Sequence, residues 1–379
     1  MTHGSPLALL GGAPAFARPV GTTLNLPPWD DLEAAFRGIF ERRYFANNGP
    51  LVQELDGEIA SRLGVPHAVC VTNESVGVMI LAKALGLQGD VLMPALAPAH
   101  TAQALRFAGL RPVFCDVDER GMLAAQEAER MLTPSTSAIA GVHLWGRACD
   151  PEGLQHLAER RGIRLLFDAT QAMGAAYERR KVGTLGAGEV FSFHVSTVLD
   201  GAEGGCITTN DDRLAEKLRT IRNFSANQTF VPVPLRINGK MSEAQAALAL
   251  LGLETLPANI AENEMRYEAY ETCVAGLPGF ALLGGAPEAN FHYPVLQVDE
   301  AAAGIGRDDL KAALAAENVV ATIPDRSGRA RGADQIWERS LQLPTGGGVS
   351  LDDVAAICLR LAQIGANADL VRERVREPA

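Results

Sequence analysis

The chain has 379 residues, which is more than one compact core usually holds, so two packed lobes are expected. Apolar residues make up 47% and charged residues 21%, and this balance excludes a disordered or fibrous chain. The net charge of −11 disfavours nucleic acid or an anionic membrane as the main partner.

The start of the chain and its cysteines predict a cytoplasmic protein. Residues 1–19 have no basic segment followed by an apolar core, and no run approaches the ~20 apolar residues of a membrane span. The six cysteines are spread widely without a Cys-x-x-Cys pair. We therefore expect buried thiols in a reducing compartment, with neither a metal site nor a disulfide framework.

From about residue 51, short apolar runs alternate with segments in which apolar residues recur at helical spacing. Strands separated by helices predict a largely parallel sheet that is covered on both faces. Seven apolar runs are predicted as its strands: 67–71, 91–94, 112–115, 138–142, 163–167, 190–193 and 205–209. Functional groups should then lie in the loops just beyond the C-terminal ends of these strands.

The second half of the chain begins with a long helical stretch, from residue 242 to about 275, which we expect to link the two lobes. Beyond it the pattern predicts strands over 291–298 and 319–323 and helices over 307–318 and 351–364. An exposed Arg- and Gly-rich loop is predicted over 325–336. These elements divide the chain into a large α/β domain with an N-terminal arm, residues 1–250, and a small α+β domain, residues 251–379.

Polar groups follow several of the predicted strands, and their order is informative. Asp168-Ala-Thr-Gln171 comes directly after an apolar run, although an acidic residue there is as often a helix N-cap. The runs that follow it are Ser192-Phe-His194, Glu203-Gly-Gly205, Arg222-Asn223 and Gly239-Lys-Met-Ser-Glu243-Ala-Gln245. With Asn48-Gly-Pro50, His143-Leu-Trp-Gly146 and Leu343-Pro344, this pattern over residues 6–365 resembles the DegT-type nucleotide-sugar aminotransferases, a branch of the fold type I enzymes of pyridoxal phosphate (PLP).

The resemblance implies a fold type I structure that binds PLP or pyridoxamine phosphate (PMP). Such a fold has a mostly parallel seven-stranded sheet and a smaller C-terminal α+β domain. By position, Asp168 would keep the pyridine nitrogen protonated, and Gln171 would contact the ring hydroxyl. Ser192 and Ser75 match phosphate ligands, the latter at a helix N-terminus.

Three further positions carry over from the same resemblance. Asn223 matches a residue that reaches the phosphate of the neighbouring subunit, which implies a site at the interface of a homodimer. Lys240 matches a basic position near that interface. His194 lies beside the lysine position and helps to shape the pocket.

Thr197 stands where these enzymes carry the lysine that binds the cofactor. The family reads Ser-Phe-His-x-Thr-Lys, and this chain reads Ser192-Phe-His-Val-Ser-Thr197. A threonine hydroxyl cannot form an imine. The lysine also moves a proton between two carbon atoms, and such acid/base work is commonly worth ~10²–10⁴ in rate.

Two other positions depart from the family pattern. Pro98 stands where an aromatic ring usually stacks on the cofactor, so the stacking is lost or is supplied by His100. Glu74 places a side chain and a negative charge where the phosphate would press against glycine. Another lysine could replace the missing one, but Lys181 is predicted to lie in a solvated surface hairpin. Lys240 is a better candidate, although a contact with phosphate or a partner carboxylate is its simpler role.

These residues leave several functions open. The chain could bind PLP or PMP without a lysine and act on a nucleotide-linked sugar, with His194 or His100 as the base. Sugar 3-dehydratases of this family carry histidine at the lysine position and use PMP. It could instead be a non-catalytic or repurposed homologue that serves as the partner subunit of an active, lysine-bearing paralogue. A mutated or misaligned ordinary aminotransferase is the third possibility. We expect a role in sugar, polysaccharide or antibiotic biosynthesis, with the substrate left open.

Overall fold

A computed structural model of the chain describes residues 6–23, 27–223 and 231–376. The outer ends of the two predicted domain ranges, residues 1–5 and 377–379, lie outside the described residues. The strands are β1 (His67–Val71), β2 (Asp90–Pro94), β3 (Arg111–Cys115), β4 (Thr136–Val142), β5 (Arg164–Asp168), β6 (Ala176–Tyr177), β7 (Arg180–Lys181), β8 (Glu189–Ser192), β9 (Gly205–Thr209), β10 (Phe280–Leu282), β11 (Val295–Val298) and β12 (Ser340–Gln342).

The helices alternate with the strands over the first part of the chain and dominate the last part. They are α1 (Trp29–Arg42), α2 (Pro50–Leu63), α3 (Glu74–Ala84), α4 (Ala99–Phe107), α5 (Ala125–Arg130), α6 (Pro151–Arg161), α7 (Asp212–Arg222), α8 (Glu243–Val274), α9 (Glu300–Ala303), α10 (Arg307–Ala316), α11 (Arg331–Arg339), α12 (Leu351–Ala366) and α13 (Ala368–Arg376). A short 3-10 helix, Ala8–Leu10, precedes them.

A seven-stranded sheet forms the centre of the large lobe, in the order β1-β9-β8-β5-β4-β2-β3. Neighbouring strands are parallel except where β9 pairs with β1 and with β8. Leu165, Leu166 and Phe167 of β5 are all buried, because helices cover both faces of a parallel sheet. The predicted mostly parallel sheet, with all seven of its strands, is confirmed.

The long helix α8 joins the two apolar cores of the molecule. Ser242 caps its N-terminus through a reciprocal pair of hydrogen bonds with Gln245, which satisfies two backbone N–H groups. Leu253 packs in a core of the large lobe, whereas Tyr270 packs in the C-terminal core. The predicted linking helix is therefore present, and the division of the chain at residue 250 stays a prediction.

The small lobe differs from the predictions in two places. Residues 319–323 make only isolated bridges, so the strand predicted there is wrong; the small sheet has the order β10-β11-β12 instead. Three-residue strands such as β10 and β12 are too short to show an alternating pattern. The loop predicted over 325–336 is also wrong in its second half, where α11 begins at Arg331. Asp116 of the large lobe accepts the N–H groups of Gly332 and Ala333, so the cap comes from a distant segment.

The cysteines correct a further expectation. Cys273 of α8 and Cys358 of α12 form a disulfide across the small lobe. The other four, Cys70, Cys115, Cys149 and Cys206, are buried thiols as expected. A bridge between two helices separated by 85 residues leaves no spacing pattern in the sequence, because helix packing alone brings the two sulfurs together.

A buried carboxylate fastens the start of the described chain to the small lobe. Glu317 accepts the N–H of Ala8 at 2.6 Å and that of Ala15 at 2.8 Å. The same carboxylate pairs with the guanidinium of Arg360 at 3.1 Å, and all but 1% of its surface is buried. Residues 8–15 are therefore held by the C-terminal core.

Within the described residues, no single helix is both long enough and apolar enough to cross a membrane. By length and composition, α12 and α13 meet the criterion only as a pair, and they are bent by 89° relative to each other. Ile357 and Leu361 of α12 are fully buried in the small-lobe core.

Candidate active site

The site is built around Asp168, the last residue of β5. Its carboxylate is 2% exposed, and its Oδ1 accepts the N–H of Thr170 at 2.9 Å. The hydroxyl of Thr101, from the first turn of α4, donates to Oδ2. Two donors thus fix a buried carboxylate beyond the C-terminal edge of the sheet, where the sequence predicts functional groups.

Gln171 follows on the next turn and is held through both its side chain and its backbone. Its Oε1 accepts the N–H of Trp145 at 2.8 Å. Its carbonyl oxygen accepts a hydrogen bond from Nδ2 of Asn290, also at 2.8 Å. Asn290 is fully buried and donates in addition to the carbonyl of Met173, so a residue of the small lobe braces this loop.

The first turn of α3 carries the second part of the site. The side chain of Asn73 caps the helix by accepting the N–H of Val76. Glu74 is 5% exposed, and its Oε2 accepts a hydrogen bond from the Ser75 hydroxyl at 3.0 Å. Nε2 of His100 lies 3.3 Å from the same oxygen, so His100 faces Glu74 at this turn.

Glu74 is electrostatically unusual. Burial is the largest cause that raises its pKa well above the ordinary value, and the nearby Asp168 carboxylate raises it further. The Ser75 hydrogen bond acts in the opposite sense but is weaker, and Glu203 adds to the increase. The close approach of the chain here depends on Gly205, where an added Cβ would lie 3.0 Å from the Glu74 nitrogen and 2.5 Å from the Phe191 carbonyl oxygen.

Thr197 lies in the loop after β8 and is 3% exposed. Its hydroxyl lies 2.8 Å from the carbonyl oxygen of Leu199, 2.9 Å from that of His194 and 3.3 Å from that of Ser192. The single hydroxyl proton is therefore shared among backbone acceptors of its own loop. The Thr197 side chain therefore stabilises the backbone of this loop.

Ser192 ends β8, and His194 lies in the loop that follows. The hydroxyl oxygen of Ser192 accepts the N–H of His194 at 3.2 Å. Nδ1 of His194 lies 2.9 Å from the Ser196 hydroxyl, and its Nε2 lies 3.9 Å from a carboxylate oxygen of Glu203. His194 is half-exposed, so it can exchange a proton with a ligand or with solvent.

The predicted interface residues lie in another group. Nζ of Lys240 donates to Oδ1 of Asn47, and Asn223 pairs with Asn238 in an isolated bridge. The neighbouring Arg222 donates to Oδ1 of Asn48 at 2.7 Å. Asp168, Gln171, Ser75, Ser192, His194 and Thr197 thus lie at or just beyond the ends of β5 and β8 and at the start of α3. Lys240 and Arg222, the residue before Asn223, lie beside residues 47–48.

Lys181 lies in the β6–β7 hairpin and donates to the carbonyl of Arg62 on the surface, as its predicted solvated position requires.

Two residues of the site were missed in the sequence. Besides Asn290, Tyr293 is buried and donates to the Ser196 carbonyl at 3.1 Å, and burial raises the pKa of its hydroxyl. The polar run 290–293 before β11 was the available signal, but it lies far from the motifs of the large lobe.

A wide cleft of about 1050 Å³ lies elsewhere in the large lobe. It is lined by Arg164 and Leu165 at the start of β5 and by Ala187 before β8, which is the opposite edge of the sheet from Asp168. Pro232, close to the undescribed residues 224–230, forms part of its wall. The chemistry-bearing side chains therefore do not face this cleft.

Comparison with known proteins agrees with the arrangement. A sequence model of the DegT/DnrJ/EryC1/StrS aminotransferase family matches residues 30–362. The dTDP-4-amino-4,6-dideoxy-D-glucose transaminase of Shigella dysenteriae is 30% identical over 305 residues, which cover 79% of this chain and 82% of that protein. GDP-perosamine synthase of Caulobacter vibrioides is 34% identical over 239 residues, or 62% and 64% of the two chains.

Solved structures extend the comparison to nearly the whole chain. DesI, solved in the presence of its TDP-sugar product, superposes with a TM-score of 0.90 at 35% identity, over 97% of this chain and 99% of that one. The neighbours are fold type I aminotransferases, so the predicted fold type is confirmed. Enzymes of this family use PLP or PMP.

The residues of this chain fit only part of that cofactor. Asp168 offers the buried carboxylate that a protonated pyridine nitrogen requires. At the turn that matches the phosphate position, however, the buried Glu74 side chain stands where the family has glycine, and it already accepts the hydrogen bond of the Ser75 hydroxyl. Thr197 supplies no amine, and its hydroxyl is engaged with backbone carbonyls. The site as a whole therefore does not fit a covalently held, phosphate-anchored cofactor.

Proposed function

Because this chain belongs to the DegT/DnrJ/EryC1/StrS aminotransferase family, we propose that it acts on a nucleotide-linked sugar without the internal imine that ordinary transamination requires. The relatives named above act on dTDP- and GDP-linked sugars, and this supports the substrate class. We propose a homodimer in the cytoplasm as its working form.

The observation that carries this proposal is Thr197. An imine needs a primary amine, and the threonine side chain has only a hydroxyl, which its own loop already uses as a donor. A flexible lysine at this place would reach several ångströms further than a threonine. Transamination would also lose the group that moves the proton between carbon atoms.

His194 is the residue of this loop that we propose for proton transfer. Its ring is half-exposed, with Nδ1 beside the Ser196 hydroxyl and Nε2 toward Glu203. A hydroxyl and a carboxylate on opposite ring nitrogens orient an imidazole and favour one tautomer. A sugar bound above the loop could thus exchange a proton with Nε2, as a dehydratase-like reaction would need.

A second candidate function rests on the group around residues 47–48. Lys240 donates to Asn47 and Arg222 donates to Asn48, so these side chains are held in place. Under the second candidate, this group completes the site of a lysine-bearing paralogue, and the chain is the non-catalytic subunit of a heterodimer.

Binding and trapping experiments test the proposal. Purified protein would be titrated calorimetrically with dTDP-4-amino-4,6-dideoxy-D-glucose and, as the matched control, with dTDP alone. The same protein would be incubated with PLP, reduced with borohydride and digested for peptide mass mapping. We expect the sugar to bind at least about tenfold more tightly than the nucleotide, which is a difference of about 1.4 kcal/mol, and no lysine to carry the reduced adduct.

Two results would contradict the proposal. A stoichiometric adduct on one lysine would mean that an imine forms after all, and equal affinity for sugar and nucleotide would remove the sugar site. Co-purification with a lysine-bearing paralogue, together with no turnover of the chain alone, would favour the second candidate. The His194→Gln change tests the proposed base, because it should reduce turnover while leaving sugar affinity unchanged.

A further inference from the structure

We propose that Glu74, His100 and Asp168 form a binding site for a divalent transition-metal ion. One ligand atom from each residue lies within 4.8 Å of the other two. The three come from separate elements: the first residue of α3, the second residue of α4 and the last residue of β5. The proposal does not depend on which sugar the protein binds.

The spacing of these groups is close to that of a ligand set. Metal–ligand bonds of about 2.0–2.2 Å place neighbouring ligand atoms roughly 3–3.5 Å apart. Oε2 of Glu74 and Nε2 of His100 are already 3.3 Å apart. The Asp168 oxygen lies no more than 4.8 Å from them, so a side-chain shift of roughly 1–2 Å would complete the set.

An unsatisfied oxygen points to a ligand at this place. Within residues 6–23, 27–223 and 231–376, Oε1 of Glu74 has no hydrogen-bond partner, and the side chain is only 6% exposed. Nε2 of His100 has no hydrogen bond in those residues either, and it lies 3.3 Å from Oε2 of Glu74. A buried acceptor without a donor is costly, and a cation at this point would satisfy it.

The charges also favour a cation over the family's anionic phosphate. Glu74 and Asp168 are two buried carboxylates that repel each other, and Glu203 adds negative potential. A doubly charged ion between the two carboxylates would offset this repulsion.

The surrounding groups are arranged as a second layer that orients the ligands. The Thr101 hydroxyl and the Thr170 N–H hold Asp168, and the Ser75 hydroxyl holds Glu74. Metal-binding side chains are commonly oriented by such outer contacts. One imidazole with two carboxylates suits Zn²⁺, Mn²⁺ or Co²⁺, and the partly exposed His100 leaves a side open to water or a sugar hydroxyl.

Cobalt and zinc binding test the site directly. Untagged full-length protein would be dialysed against EDTA and titrated with Co²⁺, with the d–d absorbance as the readout. Equilibrium dialysis with Zn²⁺ and elemental analysis would give the stoichiometry. We expect one ion per chain, with binding weakened at least about tenfold in Glu74→Gln and in His100→Gln. The matched control is His67→Gln, because His67 forms a similar pair with Asp212 on the surface, at 2.7 Å.

The outcomes separate cleanly. The proposal is overturned by wild-type protein that binds no Co²⁺ or Zn²⁺ at micromolar ion. It is equally overturned by Glu74→Gln and His100→Gln variants that bind as the wild type does, or by an equal loss in His67→Gln. Thermal melting of each variant without metal shows whether it is folded, so a loss of binding is scored only in folded protein. Because neither sugar nor PLP is added, failure here leaves the sugar-binding proposal standing.

Discussion

Replacing Glu74 by glutamine should stabilise the metal-free protein at alkaline pH and have no effect at acid pH. The glutamine keeps the shape of the side chain and removes its charge. Burial, the largest cause, and the Asp168 carboxylate raise the pKa of Glu74 above its ordinary value near 4.5. In the interval between the two values the folded protein holds a proton that the unfolded chain has lost. The free energy of unfolding of the wild type therefore falls as pH rises from about 4.5 through the raised pKa.

The magnitude follows from the linkage between proton binding and folding. Each pKa unit by which Glu74 in the folded protein exceeds its value in the unfolded chain costs about 1.4 kcal/mol at a pH above both values, and an uncharged glutamine avoids that cost. For a chain of this length, that free energy corresponds to an increase of about 1–4 °C in melting temperature. The groups that face Glu74 are Asp168, Glu203, the Ser75 hydroxyl and His100, so no compensating buried lysine or arginine acts on it among the contacts described.

Melting temperatures of wild type and Glu74→Gln would be measured in EDTA at pH 4.5 and pH 8. The difference should be near zero at the lower pH and reach its full value at the higher one. Glu203→Gln is the control, because that carboxylate is half-exposed and should shift the melting temperature by less than the error. A variant that melts below the wild type at pH 8, or a difference that does not change with pH, would refute the reasoning.

Three further substitutions have predicted effects. Glu243 is fully buried and accepts two backbone N–H groups at the start of α2, so Glu243→Gln should lower the free energy of unfolding by roughly 2–4 kcal/mol in chemical denaturation. Asn290→Ala removes three buried hydrogen bonds and should cost roughly 3–5 kcal/mol, whereas Asn259→Ala at a half-buried helix position should cost less than about 1 kcal/mol. Thr197→Val leaves backbone carbonyls without their donor and should lower the free energy of unfolding by roughly 1–2 kcal/mol. Thr197→Ser keeps the hydroxyl and should retain most of that stability. Equal stability of the two variants would show that the hydroxyl is not bound.

The large lobe could be predicted from the sequence because its strands are buried on both faces. Continuous apolar runs such as 138–142 and 163–167 need no knowledge of neighbours to be recognised, and all seven became strands of the sheet. The elements of the small lobe were harder to predict from the sequence. Helix α11 begins where Asp116, more than two hundred residues earlier, accepts its first N–H groups, and no local pattern reports that contact.

The candidate site was predictable where a motif is continuous and unpredictable where it is not. Asp168 and Thr197 stand in runs whose spacing is fixed by the strands that precede them, and the structure places Asp168 at the end of β5 and Thr197 in the loop after β8. The contact between His100 and Glu74 joins two helices, so the sequence could show only Glu74 as a departure at the phosphate turn and His100 as a possible replacement for the lost aromatic ring. Only the structure shows that these two side chains lie together beside Asp168 at the end of β5.

The attachment of the N-terminal segment to Glu317 has a consequence for anyone who expresses this protein. Deleting the residues up to Ala15 would strip two donors from a buried carboxylate and leave Arg360 as its partner in the small lobe. Truncation of this N-terminal segment should therefore destabilise the C-terminal core, and we expect it to reduce the yield of soluble protein. Boundaries trimmed to the matched family region, residues 30–362, would remove this contact and would be poor choices for crystallisation.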